Sequence, residues 1–389
     1  MAIQRTTGRY VISTTAGETV RAFVPSPLPP DPPLDLTRLL PLLDRANQAL
    51  GRLDGASILL PDTAFFLHLY VRKEALLSSQ IEGTQSSLSD LLLFENEDVP
   101  GVPLDDVQEV SHYVAAMQYA LNRLRGGFPV SLRLIREIHG VLLSDGRGAD
   151  KEPGEFRRSQ NWIGGTRPGN AAFVPPPPEE LDTALDRFEK FLHDEENSLP
   201  LLVQLSLIHV QFETIHPFRD GNGRIGRLLI TLLLCAKGAL REPLLYLSLY
   251  FKSNRTRYYE LLQKVRVEGV WEEWIEFFLE GAASTAAQAA ETAGQLAQLF
   301  AEDRRRIQSL GRAASSALRV HEYMQKKPLV NIPKAAEALN LTAPTVASAL
   351  KELLALDIAQ EITGRQRGRT YAYKEYLRIV GAGTEPIPR

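Results

Sequence analysis

Seven apolar residues fall between Ile225 and Leu234 (Ile225, Leu228, Leu229, Ile230, Leu232, Leu233 and Leu234). They follow at once on a polar, turn-rich segment, His216-Pro217-Phe218-Arg219-Asp220-Gly221-Asn222-Gly223-Arg224. No other junction in the chain restricts its fold as much. A run this apolar reads as a buried helix. Gly221-Asn222-Gly223 supplies the turn that starts it, with backbone angles closed to most residues. His216, Asp220, Arg224 and Arg227 are thereby gathered at the N-terminal end of a core helix. The longest apolar stretch, Leu228 to Ala236, falls far short of the ~20 residues of a membrane span.

What that helix end can hold follows from the residue types. An unperturbed histidine titrates near ~6.5, so His216 offers a neutral general base at pH 7. The Asp220 carboxylate suits Mg²⁺, which takes one or two carboxylates and fills its other positions with phosphate and water. Successive N–H groups in a Gly-Asn-Gly turn form an anion-binding nest, and the helix dipole reinforces it. Arg224 and Arg227 share a helix face and fork onto phosphate oxygens. Singly, each feature has a plainer reading: a capping pair, a tight turn, a solvated basic face. Together, at the mouth of so apolar a helix, they point to chemistry on a polyphosphate.

The segment resembles the signature of the Fic family, His-x-Phe-x-(Asp/Glu)-Gly-Asn-Gly-Arg-x-x-Arg, at every specified position. The resemblance implies a mainly α fold, a Fic helical bundle with a short β-hairpin flap. It implies a protein adenylyltransferase that moves AMP from ATP to a Tyr, Thr or Ser hydroxyl of a target protein, and to itself, releasing pyrophosphate. His216 is then the catalytic base, Phe218 the inward-packed residue that fixes the loop, and Asp220 the holder of Mg²⁺ on the α- and β-phosphates. ATP binding falls to Gly221, Asn222, Gly223, Arg224, Ile225, Gly226 and Arg227. In this reading Asn222 bonds phosphate, Arg224 takes the β-phosphate and Arg227 the γ-phosphate, and Tyr259 borders the base. Phosphoryl-type transfer needs such positioning and charge neutralisation more than covalent help.

A second segment, Ser78-Ser79-Gln80-Ile81-Glu82-Gly83, reads by itself as a helix C-terminus with Gly83 as left-handed cap. A glutamate there is on the unfavourable end of the helix dipole, so a cation should compensate it. Beside the signature, the segment resembles the family's inhibitory motif, (Ser/Thr)-x-x-x-Glu-(Gly/Asn), at Ser78, Glu82 and Gly83. Its place ahead of the signature is that of the subclass with an N-terminal inhibitory helix. The resemblance implies that Glu82 pairs with Arg227 and occupies the place of the γ-phosphate.

Elsewhere the chain reads as helices with short breaks. Residues 1 to 35 look weakly structured, with Tyr10–Ser13 and Val20–Val24 as short strands and Pro25–Pro33 extended. From Asp35, Leu36, Leu39, Leu40, Leu42 and Leu43 make an apolar face. A helix over Asp62–Ser79 turns Phe65, Phe66, Leu69 and Leu76 inward. Asp105–Arg125, Val130–Leu143, Glu179–His193 and Leu201–Glu213 are further helices, and His209 is expected as a satisfied core histidine. Trp162-Ile163-Gly164 and Ala171–Val174 flank a Gly/Pro/Asn turn and read as a hairpin. In Fic proteins the comparable segment is a flap that holds the target chain by strand addition, which makes Trp162, Ile163 and Gly164 target-binding residues. Ala282–Arg306 reads as a long linking helix. Helices over 318–326, 332–339 and 343–356, with strands over 358–362 and 370–373 around Gly364–Arg369, make a winged helix-turn-helix pattern. This resembles the small α+β module that ends many long Fic proteins. The expected division is 1–110 (N-terminal segment with inhibitory helix), 111–281 (catalytic), 282–312 (linker) and 313–389 (winged helix).

Net charge is −3 over 389 residues, so the molecule as a whole is no general polyanion binder. From Ala313 onward, 11 Lys and Arg stand against 7 Asp and Glu, leaving room for DNA-backbone contact, protein docking or a homodimer through this module. The single cysteine, Cys235, allows no internal disulfide, and Met1–Thr7 holds no apolar signal stretch; both fit a reducing cytoplasm. Two alternatives stay open. One is a DNA-binding regulator whose Fic-like domain senses nucleotide. The other is a Fic enzyme of different chemistry, using another nucleotide or removing AMP.

Overall fold

The computed structural model describes residues 5–59, 63–95, 104–364 and 368–387. The chain opens on an antiparallel hairpin, β1 (Gly8–Thr15) and β2 (Glu18–Pro25), in register Thr15 to Glu18. Ala16 and Gly17 both have positive φ, the turn geometry that matches the right-handed twist of paired strands. The N-terminus is therefore more ordered than its proline content suggests. Val20, Ala22, Phe23 and Val24 bury one face of β2 on the body.

Eleven helices follow in the body: α1 (Leu40–Leu59), α2 (Thr63–Ile81), α3 (Leu88–Glu95), α4 (Leu104–Arg125), α5 (Leu132–Leu142), α6 (Pro178–Leu192), α7 (Leu201–Ile215), α8 (Asn222–Ala236), α9 (Ser248–Ser253), α10 (Arg255–Glu268) and α11 (Trp271–Gln308). The apolar run read from sequence is α8, buried from Ile225 to Leu234 and packed among α2, α4, α5 and α7. Leu69 and Leu76 point into the core as expected. Asp62 and the side chains of Phe65 and Phe66 lie outside the described residues. Leu40 is 54% exposed, off the apolar face assigned to it, because a 3₁₀ turn over Thr37–Leu39 shifts the phase of α1.

The stretch read as a linking helix is core. α11 is one helix of 38 residues, and Ala282, Ala283, Ala286, Ala289 and Ala293 bury its small side chains against α1. Small residues let two helix axes approach closely, so low bulk here marks packing, not exposure. The expected boundaries at 110 and 281 fall inside α4 and α11, where the backbone has no break.

Beyond α11 come α12 (Ala314–Lys326), β3 (Leu329–Asn331), α13 (Ile332–Leu339), α14 (Ala343–Ala355), β4 (Ala359–Glu361), β5 (Thr370–Tyr373) and α15 (Lys374–Gly381). The sheet order is β3-β5-β4, all antiparallel. Asn340 in the left-handed region ends α13, and Thr342 Oγ1 accepts from Thr345 N to cap α14. Residues Arg365-Gln366-Arg367 of the expected wing lie outside the described residues. The Tyr373 hydroxyl, 2.7 Å from Asp303 and 3.0 Å from His321, ties this unit to α11. Among the described residues no helix is long and apolar enough to cross a membrane.

Candidate active site

α7 and α8 meet at the signature loop, and their geometry sets the site. α7 ends on His216, whose backbone is left-handed (φ 50, ψ 61). That conformation is costly for a residue with a side chain, and buried Arg157 holds it. Its Nε donates to the His216 carbonyl at 2.8 Å, and its backbone N–H donates to Pro217 at 2.9 Å. Burial, then the nearby Arg157 and Arg266, push the His216 imidazole down to about 3, so it is neutral at pH 7.

Phe218 is fully buried and stacks on the His139 ring, centroids 3.7 Å apart. The Asn222 side chain closes the loop from inside: its Oδ1 accepts from Phe218 N and its Nδ2 donates to Phe218 O, both at 2.8 Å. The Asn222 amide thus ties the loop together, with one side-chain N–H and the backbone N–H not used by these bonds. Gly221, at φ 76, starts α8. The first-turn N–H groups of a helix have no intrahelical acceptor, and Asn222, Gly223 and Arg224 line a cavity of about 300 Å³ together with His216, Asp220 and Glu82.

Asp220 is half-exposed. Its Oδ1 accepts from Gly221 N at 2.6 Å and lies 3.6 Å from Arg224. Arg224 is buried; one terminal nitrogen pairs with Glu109 of α4 at 2.9 Å, and its Nε makes no hydrogen bond. A hard divalent cation carried by a polyphosphate needs few protein ligands, and Asp220, open to the cavity beside the helix N-terminus, fits that need. No cluster of three or more His, Cys, Asp or Glu suited to a resident metal occurs among the described residues.

Arg227 is buried. Its Nε donates to Ser78 Oγ at 2.9 Å, and a terminal nitrogen donates to Ser78 O at 3.0 Å and to Glu82 Oε1 at 2.6 Å. The segment around Glu82 is a C-terminal cap in full. Thr84 N donates to Ser79 O and Gly83 N to Gln80 O, with Gly83 at φ 110. This cap turns Glu82 back over α8. A Cβ on Gly223 would lie 2.3 Å from Glu82 Oε1, so the carboxylate rests directly on the first turn of α8.

The structure brings His216, Phe218, Asp220, Gly221, Asn222, Gly223, Arg224, Arg227, Ser78, Glu82 and Gly83 together, with Trp162, Ile163 and Gly164 on the cavity rim. Ile225 and Gly226 sit behind it in the core of α8 and do not line it. Tyr259 is 41% exposed beside Arg255, also outside that lining, whereas its neighbour Tyr258 is the core tyrosine. His209 is the satisfied core histidine expected, bonded to Gly226 O and Tyr258 Oη. The flap is less of a hairpin than the sequence suggests. One bridge, Ile163 to Phe173, joins its sides, and a 3₁₀ turn over Pro168–Asn170 forms its tip.

Sequence reasoning missed Glu109, Glu213 and His139. Glu109 and Glu213 did carry a signal: each is a carboxylate on an apolar helix face, four residues before Tyr113 and three after Val210. Glu213 Oε1 is buried with no hydrogen-bond partner, and burial lifts its carboxyl to about 7, Arg227 pulling the other way. His139 is a lone histidine in its segment, and nothing local marks it.

Two family models match the chain: the Fic/DOC family N-terminal region over residues 40–122 and the Fic/DOC family over residues 129–234. The chain is 33% identical over 253 residues to the protein adenylyltransferase Fic of Drosophila grimshawi, covering 64% of this chain and 48% of that one. It is 31% identical over 249 residues to that of Drosophila melanogaster, covering 62% and 46%. The chain thus spans about half the length of the curated relatives it matches. A Fic family protein from Desulfovibrio desulfuricans G20 has the same fold at TM-score 0.58 and 19% identity, over 88% of this chain and 98% of that one. Fic-1 of C. elegans (residues 134–508) follows at TM-score 0.51 and 21% identity, over 68% and 75%. With the signature loop, the α8 nest and both halves of the Fic architecture in place, the chain belongs to the Fic/DOC family.

Proposed function

We propose that the chain is a protein adenylyltransferase that carries AMP from ATP to a polypeptide hydroxyl, itself included, and that Glu82 holds it in check. The observation that supports this most is the joint lining of one cavity by a neutral His216 and by the first turn of α8, Arg224 included. The acceptor hydroxyl attacks the α-phosphorus as His216 takes its proton. A new O–P bond forms, the bond from Pα to the bridging oxygen breaks, and pyrophosphate leaves. Arg224 and the α8 N–H groups hold the charge of the β-phosphate side, and Arg227 binds the γ-phosphate once Glu82 has moved. Asp220 would hold Mg²⁺, which when bound screens phosphate charge. Such sites work by positioning fixed charges, not by covalent help.

Glu82 is a brake in this reading because it gives Arg227 and the α8 turn an anion already, so that a γ-phosphate must displace it. For the C-terminal unit we favour docking to protein over reading of DNA. The exposed face of α14 carries Pro344, Ala347, Ser348, Lys351 and Ala355, a thin set for base contacts. Cys235, a free thiol with a pKa pushed up to about 12 by burial, fits a reducing compartment such as the cytoplasm.

The test is incubation of the purified chain with Mg²⁺ and ATP labelled at either the α- or the γ-phosphate, followed by intact mass. The expected result is α-label with a mass gain of one AMP, lost in His216→Ala. Transfer of γ-label would overturn the adenylyl reading.

A further inference from the structure

The flap has few bonds of its own: Gln160 Nε2 donates to Pro175 O across its base, and the Asn170 side chain closes its tip onto Thr166 and Arg167. Its sides share a single bridge, Ile163 to Phe173, and an isolated two-stranded hairpin is marginal in water even when fully paired. Its base is fixed by the catalytic loop, where Asn161 Nδ2 donates to Phe218 O at 2.8 Å. The N-terminal hairpin grips it along its length. Phe23 N of β2 donates to Val174 O at 2.9 Å, and Ser13 of β1 bonds Gln160 at 3.1 Å. At the tip, Glu18 Oε2 accepts from a terminal nitrogen of Arg167 at 2.6 Å and from Gly169 N at 3.0 Å. A Cβ on Gly169 would lie 2.2 Å from that oxygen, so the tip is shaped to admit this carboxylate.

We infer that the β1–β2 hairpin is a working part of the acceptor site, and that Glu18 is a positioning residue which locks the flap tip so that the Ile163 edge stays presented at the cavity His216 lines. The partner it serves is an extended polypeptide segment, bound through main-chain hydrogen bonds to that edge. Strand addition needs a backbone edge already straight and fixed, since ordering it on binding costs affinity. Water, as the alternative acceptor, needs no such edge. This inference rests on the adenylyl-transfer reading.

The test uses the full chain with Glu82→Gly to remove the brake, ATP with Mg²⁺, and a His216→Ala copy as the acceptor polypeptide. Transfer to protein and hydrolysis of ATP to AMP are measured together. With Glu18→Ala, transfer falls relative to hydrolysis by roughly three- to ten-fold, the loss of one exposed ion pair and one backbone hydrogen bond. The loss appears in KM for the acceptor more than in kcat. Glu18→Gln, which keeps an oxygen for Gly169 N–H, loses less. In parallel, the amides of Ile163 and Phe173 exchange faster in Glu18→Ala. An unchanged transfer-to-hydrolysis ratio with unchanged exchange overturns the hairpin's role. If the Glu82→Gly chain gives neither AMP-protein nor AMP, the adenylyl reading fails by itself. Amide exchange then judges the hold on the flap: faster exchange supports it and unchanged exchange overturns it.

Discussion

Glu82 Oε1 lies 2.6 Å from a terminal nitrogen of Arg227 and occupies the space that one methyl group on Gly223 would fill. The pair joins the end of α2 to the first turns of α8, so one carboxylate serves both a buried guanidinium and a helix N-terminus. Replacing Glu82 by Gly therefore has two expected effects. Without nucleotide, Arg227 keeps its Ser78 bonds but loses its counter-charge, and stability drops by about 1–2 kcal/mol; this is less than a fully buried pair costs, because the Glu82 side chain stays partly exposed. With ATP and Mg²⁺, the triphosphate supplies the missing anion. The thermal shift on adding ATP is then larger than in the parent, and self-transfer rises strongly. Equal ATP-induced shifts in the two proteins would sink the competition between Glu82 and the γ-phosphate.

Gly223→Ala separates the brake from the nest. Its Cβ meets Glu82 Oε1 and the Arg227 guanidinium, both far ends of flexible side chains. Moving Glu82 aside loses the pair (about 1–2 kcal/mol) while Ala in place of Gly in a helix returns about 1 kcal/mol, so the fold should lose less than about 1 kcal/mol net. A phosphate drawn to the same N–H groups meets the same methyl and cannot bend away. The expected outcome is a melting temperature close to the parent's together with at least a ten-fold (about 1.4 kcal/mol) weaker ATP affinity by calorimetry. Unchanged affinity would mean that the triphosphate does not rest on this turn.

Much of this site was legible because its residues are close in sequence. His216 to Arg227 spans one turn and one helix start, where residue type dictates backbone shape. The Glu82–Arg227 pair lies 145 residues apart in sequence, and only the family resemblance, not spacing, pointed to it. The hairpin's grip on the flap was illegible for a different reason. Glu18 and Arg167 are ordinary surface charges, and nothing in either segment says they meet. The packing of α11 on α1 was illegible because a run of alanines looks alike whether it is solvated or packed against a second helix.

Glu213 makes a pH prediction with a definite sign. Its carboxyl sits at about 7 in the folded chain, raised mainly by burial, against the usual carboxylate range when unfolded. A raised folded pKa means that its contribution to stability is complete below the unfolded value near ~4.3 and is lost as pH climbs through about 7. Glu213→Gln copies the protonated form at every pH. Its melting temperature relative to the parent should therefore rise between pH 5 and pH 8, by the equivalent of up to about 3 kcal/mol. Parallel curves for the two proteins across that window would show that Glu213 is ionised throughout.

Asn222→Ala should uncouple the loop from the helix it starts. The substitution orphans the buried Phe218 N–H, whereas Phe218 O keeps its bond from Asn161, so one group and not two is left unpaired. An unsatisfied buried N–H costs about 1–3 kcal/mol, and the melting temperature should fall accordingly. His216 is two residues upstream in a conformation that the loop must hold, so transfer should fall by about 100-fold, as displacements near 1 Å do in oriented sites. Asn222→Asp restores an acceptor for Phe218 N–H and should recover much of the stability. It also places a carboxylate at the N-terminus of α8, where the dipole welcomes it but a phosphate would be repelled. ATP affinity in Asn222→Asp should thus stay weak while the fold recovers. If affinity and melting temperature recover together, Asn222 serves only the loop and the phosphates bind elsewhere.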